Sequence, residues 1–94
     1  YQIKEIKVTQ GSKLSLQKHE ARSEFWQIVK GDSKITIENQ EYFLKEKEHI
    51  YIPKDTIHRI ENIGEEELIF IEIQLGEILK EEDIIRLEDD YGRI

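Results

Sequence analysis

The sequence contains no cysteine, and this absence excludes two kinds of chemistry. No disulfide can stabilise the fold, and no thiolate can act as a nucleophile or a metal ligand. Any metal site in this chain must therefore be built from histidine, amide and carboxylate side chains. The lack of disulfides is also compatible with a reducing compartment, and we expect a cytoplasmic location.

Basic clusters, long apolar runs and methionine are missing as well. The 14 basic residues are outnumbered by 21 acidic ones, so the net charge is −7 and no surface for nucleic acid or an anionic membrane is expected. No apolar run approaches the roughly 18–20 residues of a membrane span. Because methionine is absent even at position 1 and Tyr1 already lies in an alternating pattern, we expect residues 1–94 to form a single domain from the C-terminal part of a longer chain. A processed or trimmed small protein is the alternative.

Short segments of alternating polarity fill most of the chain and predict strands. Turn residues such as Gly31, Pro53 and Gly64 separate them. The predicted strands cover residues 1–8, 13–19, 24–30, 34–38, 42–44, 48–52, 57–61 and 68–75. After Gly76 the pattern changes, and we expect short helical turns within residues 77–87 that pack back on the strands. The class predicted is all-β, an antiparallel sandwich or barrel with a short C-terminal helical tail.

Four residues of ligand type are spaced so that strands can bring them together. Gln17 and His19 share one face of their predicted strand, because they are two residues apart. Glu24 begins the next strand and would join them if the two strands are neighbours. His58 follows the turn that carries Pro53. Two imidazoles, an amide and a carboxylate suit a divalent metal, and this set does not distinguish Zn, Mn, Co, Ni, Fe and Mg.

The spacing of these residues resembles the two motifs of the cupin family. The first stretch reads G-x5-Q-x-H-x4-E-x6-G from Gly11 to Gly31, with Gln17 where the family has its first His. The second reads P-x-D-x2-H-x3-N from Pro53 to Asn62. The resemblance implies a small cupin-type antiparallel jelly-roll barrel. It also implies a metal held by Gln17, His19, Glu24 and His58.

Within the cupins, the chain is similar to the C-terminal domain of bifunctional mannose-1-phosphate guanylyltransferase/mannose-6-phosphate isomerases, the type II phosphomannose isomerases. The matching stretches are Leu14-Ser-Leu-Gln-Lys-His19, Arg22-Ser-Glu24-Phe-Trp26, Tyr51-Ile-Pro53, His58-Arg-Ile-Glu-Asn62 and the tail from Asp83 to Arg93. The resemblance implies a metal-dependent enzyme that interconverts mannose 6-phosphate and fructose 6-phosphate. It further implies an N-terminal nucleotidyltransferase domain in the same parent chain, and a place in GDP-mannose supply for polysaccharide biosynthesis.

Three cations outside the ligand set are candidate catalytic residues. Arg22 follows His19 by three positions, where it can form an ion pair with Glu20 or Glu24 or bind a substrate phosphate in bidentate fashion. The family's tail has the same Tyr-Gly-Arg sequence, which implies that Arg93 folds over the site to contact substrate. Lys4 matches a strand lysine of the family, and is otherwise the polar side of an edge strand.

The general base that an isomerase needs is not identified by the sequence, and His49 and Glu72 are the candidates. Trp26 shares a face with Glu24, and we predict a core role for it rather than sugar stacking. Phe25 stands where the family usually has His. A role that this His has in the family therefore cannot be carried over to the present chain.

Two other functions stay open. A non-catalytic cupin could sense a sugar phosphate or serve assembly in a mannose-1-phosphate guanylyltransferase, and a cupin oxygenase could use similar ligands. The cations Arg22 and Arg93 favour the isomerase, because a sensor does not need them around an open metal. We also expect a homodimer through sheet edges, because a domain of this size has a limited core.

Overall fold

The computed structural model describes residues 1–76 and 84–88, and these residues form nine β-strands. In chain order they are β1 (Gln2–Val8), β2 (Leu16–His19), β3 (Arg22–Lys30), β4 (Ser33–Ile37), β5 (Gln40–Leu44), β6 (His49–Ile52), β7 (His58–Asn62), β8 (Leu68–Gly76) and β9 (Ile84–Glu88). Strands β1 to β8 match the predicted ones, so the all-β class is confirmed. Within these ranges no helix has the length and hydropathy of a membrane-spanning segment.

The segment predicted to be a helical tail differs from the prediction. Residues 77–83 lie outside the described residues. Residues 84–87 belong to β9, which pairs antiparallel with β2, so the prediction of helix is wrong there. Ile84 and Ile85 are β-branched and favour a strand, and the edge of β2 supplies backbone groups that need partners. For this part of the tail, the predicted packing against the other strands is confirmed.

The strands form two sheets with a shared interior. One sheet has four strands in the order β1-β8-β3-β6, and the other has five in the order β5-β4-β7-β2-β9. All the pairings are antiparallel. β2 and β3 therefore lie in different sheets. The condition that they be neighbours is not met, because a connection of two residues here crosses from one sheet to the other instead of closing a hairpin.

The interior is apolar at one end of the long strands and polar at the other. On β8 the inward side chains are Leu68 and Phe70, followed by Glu72 and Gln74. On β3, which runs the opposite way, the sequence is reversed: Arg22 and Glu24 come before Trp26 and Ile28. The register places Ile28 opposite Phe70 and Glu24 opposite Gln74. The apolar residues of both sheets form one core cluster: Val8, Trp26, Ile28, Ile35, Ile52, Ile60, Leu68 and Phe70.

Gly76 ends β8 directly opposite Arg22, at the polar end of the interior. A Cβ at Gly76 would lie 2.5 Å from the carbonyl oxygen of Ala21 and 3.1 Å from Cα of Arg22. Both are backbone atoms, so relieving the clash would shift the start of β3. Glycine is therefore required by the close approach of the two strands.

We predict that Gly76→Ala lowers the free energy of unfolding by about 1–3 kcal/mol, the usual cost of forcing extra atoms into a packed site. Gly64→Ala is the control, because its added Cβ would meet only Asp32 at an ordinary 3.4 Å. That control should change stability by less than about 0.5 kcal/mol. Urea unfolding followed by circular dichroism measures both. Equal midpoints for the two variants would show that the strand approach does not require glycine.

Candidate metal centre

Three buried side chains from three strands meet between the sheets. They are His19 on β2, Glu24 on β3 and His58 on β7, and their ligand atoms all lie within 4.8 Å of one another. Nε2 of His19 is 3.2 Å from Oε2 of Glu24, and Nε2 of His58 is 4.0 Å from Oε1. None of the three side chains is more than 3% exposed. Two imidazoles and a carboxylate that converge in this way form a donor set for a divalent metal.

The hydrogen bonds of His58 prepare it for this role. Its Nδ1 lies 2.9 Å from the carbonyl oxygen of Thr56. A carbonyl only accepts, so Nδ1 carries the proton and Nε2 keeps a lone pair that faces Glu24. Burial lowers the pKa of His58, although the bond to Thr56 and the charge of Glu72 oppose that effect. A neutral imidazole oriented by its second nitrogen is the form that binds metals.

Arg22 contacts the same ligand atoms. Its Nε donates to Oε2 of Glu24 at 3.0 Å, and its Nη2 donates to Nε2 of His19 at 3.2 Å. Because a guanidinium only donates, Nε2 of His19 must be the unprotonated nitrogen, as a metal ligand requires. Arg22 is 4% exposed, and no described residue accepts a hydrogen bond from its Nη1. A guanidinium held at these atoms shows that the donor set attracts a cation.

Gln17 lies directly opposite His58 in the ladder between β2 and β7, and it lines the same small cavity as Glu24 and His58. Its Nε2 donates to Oγ of Ser15 at 2.9 Å and to the Ser15 carbonyl oxygen at 3.3 Å. The amide oxygen, the end that binds metals, is therefore not used in these bonds. Ser15 is 3% exposed and was not among the predicted site residues. Its position two residues before Gln17, on the same face, was the available signal.

Trp26 fixes the other oxygen of the Glu24 carboxylate. Its Nε1 donates to Oε1 at 2.9 Å, while Arg22 binds Oε2. The indole also packs on Phe70, with ring centroids 5.1 Å apart, and on the edge of His58 at 5.4 Å. Trp26 is part of the buried cluster, so the predicted core role is confirmed. Its hydrogen bond to Glu24 adds a positioning role that alternation alone did not predict.

Strand β8 adds a second carboxylate, Glu72, whose cross-strand partner is Trp26. Burial and, next in size, the charge of Glu24 raise the pKa of Glu72 to about 7, and a hydrogen bond from Gln74 opposes the rise. Nε2 of Gln74 donates to Oε2 of Glu72 at 2.7 Å. Gln74 is fully buried, and its Oε1 has no hydrogen-bond partner among the described residues. Gln74 was not predicted as a site residue.

A small cavity of about 20 Å³ lies beside the donor set. Its lining includes Gln17, Glu24, Trp26, His58 and Glu72. A space of this size holds one water-sized particle, and this one has several polar neighbours. The residues present thus fit a metal ion in their chemistry, their burial and the room beside them.

The remaining candidate residues, Lys4, His49 and Arg93, differ in their position relative to the donor set. Lys4 is half-buried on β1, directly opposite Glu72, and so shares the inward face. His49 is exposed on β6 and lies against Phe25, with ring centroids 5.1 Å apart. Since Phe25 alternates with the inward Glu24 and Trp26, both rings are on the outer face, away from the donor set. Arg93 lies outside the described residues.

The family model described as "Mannose-6-phosphate isomerase C-terminal" matches residues 1–89. The chain is 44% identical over 94 residues to a mannose-1-phosphate guanylyltransferase, ManC, of Salmonella typhimurium, and it spans 20% of that protein.

Two solved structures show the same fold. The capsular polysaccharide assembling protein CapF of Staphylococcus aureus superposes with a TM-score of 0.81 at 23% identity, over 93% of this chain and 28% of CapF. A cupin protein of Bacteroides fragilis superposes with a TM-score of 0.73 at 20% identity, over 84% of this chain and 68% of that protein. The predicted cupin fold is confirmed.

We predict that His19→Ala and His58→Ala each reduce bound divalent metal to background, because each removes an imidazole from the donor set. His49→Ala is the matched control, since its ring is exposed on the outer face of the sheet. Elemental analysis after dialysis against metal gives the stoichiometry, and far-UV circular dichroism verifies folding. Unchanged metal content in both folded site variants would contradict the ligand assignment.

Proposed function

Since this chain belongs to the mannose-6-phosphate isomerase C-terminal family, we propose that it catalyses the metal-dependent interconversion of mannose 6-phosphate and fructose 6-phosphate. The observation that carries the proposal is the buried donor set, with a second carboxylate and an arginine beside it. An aldose–ketose isomerisation moves a proton between C1 and C2 and develops negative charge on oxygen. It therefore needs a base and cations in one place, and this site brings both types of group together.

The metal ligands in this proposal are Gln17, His19, Glu24 and His58. The lone pairs of both Nε2 atoms and the Glu24 carboxylate suit any of Zn, Mn, Co, Ni, Fe and Mg. When bound, the ion would polarise the sugar carbonyl and stabilise the enediolate charge. Trp26 and Ser15 hold the Glu24 and Gln17 side chains in place through hydrogen bonds.

The proton transfer is assigned to Glu72, because it lines the cavity and His49 does not. Gln74 positions Glu72 through its hydrogen bond to Oε2. Arg22 would bind the phosphate or the developing oxyanion, and its Nη1 is a donor without a described partner. Lys4, on the same face as Glu72, would add a cation, and Arg93 is included from the family resemblance.

The relative's name supports a wider proposal. ManC is a mannose-1-phosphate guanylyltransferase, and this chain spans a fifth of it. We propose that residues 1–94 are the C-terminal domain of a parent chain with an N-terminal nucleotidyltransferase domain. That parent would act in the cytoplasm, supplying GDP-mannose for polysaccharide biosynthesis.

One observation favours a second candidate, a non-catalytic sugar-phosphate-sensing or assembly cupin. The cavity of about 20 Å³ is far smaller than the roughly 300–1,000 Å³ of pockets that enclose small ligands. Arg22 also uses two of its N–H donors in hydrogen bonds to Glu24 and His19, so these donors are not available to a substrate phosphate. A sensor would bind the sugar phosphate at the mouth of the site without converting it. A coupled isomerase assay on the metal-loaded chain, with calorimetric titration of mannose 6-phosphate, separates the two: binding without turnover supports the sensor.

Glu72→Gln is expected to lower kcat for fructose 6-phosphate by about 10²–10⁴-fold, the usual loss when a general base is removed. The amide keeps the shape of the side chain, so metal content should not change. Glu65→Gln, at an exposed carboxylate, is the control and should keep full activity. A Glu72→Gln enzyme with the wild-type kcat would remove Glu72 from proton transfer.

Arg22→Lys should lower kcat/KM by roughly 30- to 1,000-fold, or about 2–4 kcal/mol, because an ammonium cannot reproduce a bidentate guanidinium contact. Steady-state kinetics with fructose 6-phosphate measures the change, and metal analysis shows whether the donor set survives. If kcat/KM falls only in proportion to lost metal, Arg22 acts by holding the ligands and not by contacting substrate.

A further inference from the structure

Arg22 donates its hydrogen bonds to atoms that the metal ligand set also requires. Its Nε lies 3.0 Å from Oε2 of Glu24, and its Nη2 lies 3.2 Å from Nε2 of His19. None of the three side chains is more than 4% exposed, so water does not screen these contacts. The guanidinium and a metal ion therefore make the same demand on one histidine and one carboxylate.

The conflict is strict at His19 and mild at Glu24. A carboxylate oxygen has two lone pairs, so Oε2 of Glu24 can accept a hydrogen bond from Arg22 and still bind an ion. The unprotonated nitrogen of a neutral imidazole has a single lone pair in the plane of the ring. Once this lone pair accepts the N–H of Arg22, it is not available to a metal. Nε2 of His19 therefore binds either Arg22 or a metal ion at any one time.

Charge separates Arg22 from the other group that holds Glu24. A guanidinium is always charged, and a divalent ion at the shared atoms would meet it in a buried site, where like charges repel strongly. Trp26 donates to Oε1 of Glu24 at 2.9 Å through a neutral N–H. That bond does not oppose a cation. Of the two side chains that donate to Glu24, Arg22 alone competes with the metal.

The position of Arg22 favours its release. It is the first residue of β3 and follows directly on the two-residue connection from β2, so its side chain starts at the end of the strand. Its Nη1 is buried and has no hydrogen-bond partner among the described residues. A buried donor without a partner reduces the net stability of the inward position. A phosphate offers acceptors for several guanidinium donors at once.

We propose that Arg22 and a divalent metal ion compete for His19, and that metal binding releases the guanidinium to bind the sugar phosphate. The second half of this proposal rests on the proposed function and gives it an order, with the metal bound before the substrate. Until the metal binds, Arg22 compensates the buried charge of Glu24. Afterwards the ion does so, and the donors of Arg22 are available to a phosphate.

Metal titration of the variant Arg22→Met tests the competition, because methionine fills a similar space without charge or donors. The fluorescence of Trp26, the only tryptophan in the sequence, reports on the site through its bond to Glu24. We expect the Kd for Zn²⁺ to fall at least about 10-fold, since removing a competitor raises the fraction of the chain that is ready to bind.

Lys18→Met is the matched control. It removes one positive charge next to His19, in an ion pair of 3.4 Å with Asp55, without a bond to the donor set. Its Kd for Zn²⁺ should stay within about threefold of the wild type, because an exposed ion pair contributes little. A Kd of Arg22→Met that is unchanged or higher would overturn the proposal, since it would make Arg22 a support of the ligands. Equal tightening in Lys18→Met would assign the effect to general electrostatics and overturn it as well.

The wild type provides a second measurement in case Arg22→Met does not fold. The Nε–H of Arg22 is buried and bonded to Glu24, so its ¹⁵N NMR signal should exchange slowly with water. Saturation with Zn²⁺ should abolish this protection. A signal that stays protected in the zinc-loaded chain would contradict the release of the guanidinium.

Calorimetric titration of mannose 6-phosphate measures the order of binding. We expect the affinity of the wild type to be at least about 10-fold lower after removal of metal by EDTA than after loading with Zn²⁺, because Arg22 is then held by His19 and Glu24. Equal affinity in the two states would overturn the release of Arg22 to the phosphate. No binding in either state would remove the sugar phosphate from the proposal, and the proposed function with it, while the Zn²⁺ titrations still decide the competition.

Discussion

The interior of this domain depends on one buried negative charge, the carboxylate of Glu24. At 2% exposure it has lost its hydration, and a buried carboxylate is tolerated only when hydrogen bonds and cations replace the water. Trp26 donates to one oxygen and Arg22 to the other. The two imidazoles of His19 and His58 then complete the donor set around this carboxylate. The same shortage of solvation that makes Glu24 costly gives the site its attraction for a divalent cation.

This requirement explains the division of the interior along its long strands. Phe70 on β8 lies opposite Ile28 of β3, and Leu68 belongs to the same buried cluster. Burial of apolar surface there stabilises the fold by roughly 1.5–3 kcal/mol for each such side chain. Two residues further along, the same strands place Glu72 and Gln74 inward. The sheets are held together at the apolar end, so the polar end can keep a side chain such as Gln74, whose buried Oε1 has no hydrogen-bond partner among the described residues.

The sequence was sufficient for strands β1 to β8, which follow from local alternation, and for His19, Glu24 and His58 of the donor set, which follow from motif spacing. Alternation defines which residues share a face, and Gln17, His19, Glu24 and His58 have the spacing of the cupin motifs. Alternation does not define which strand pairs with which. The pairing of β2 with β3 was therefore only a condition of the predicted site, and their side chains in fact meet across the space between two sheets. β9 was missed for the same reason, since its partner is the distant edge of β2.

Strand β8 shows the limit of pattern reading most clearly. Its odd-numbered side chains, Ile69 to Leu75, are all apolar, and simple patterning would turn that side inward. The structure turns the even-numbered side inward along the whole strand, so that Glu72 and Gln74 lie in the interior with Arg22 and the histidines. The apolar side of the strand therefore lies on the outer surface of the sheet. An inverted strand of this kind connects two properties: its polar side chains complete the interior of the site, and its isoleucines lie half-buried on the outer face of the sheet.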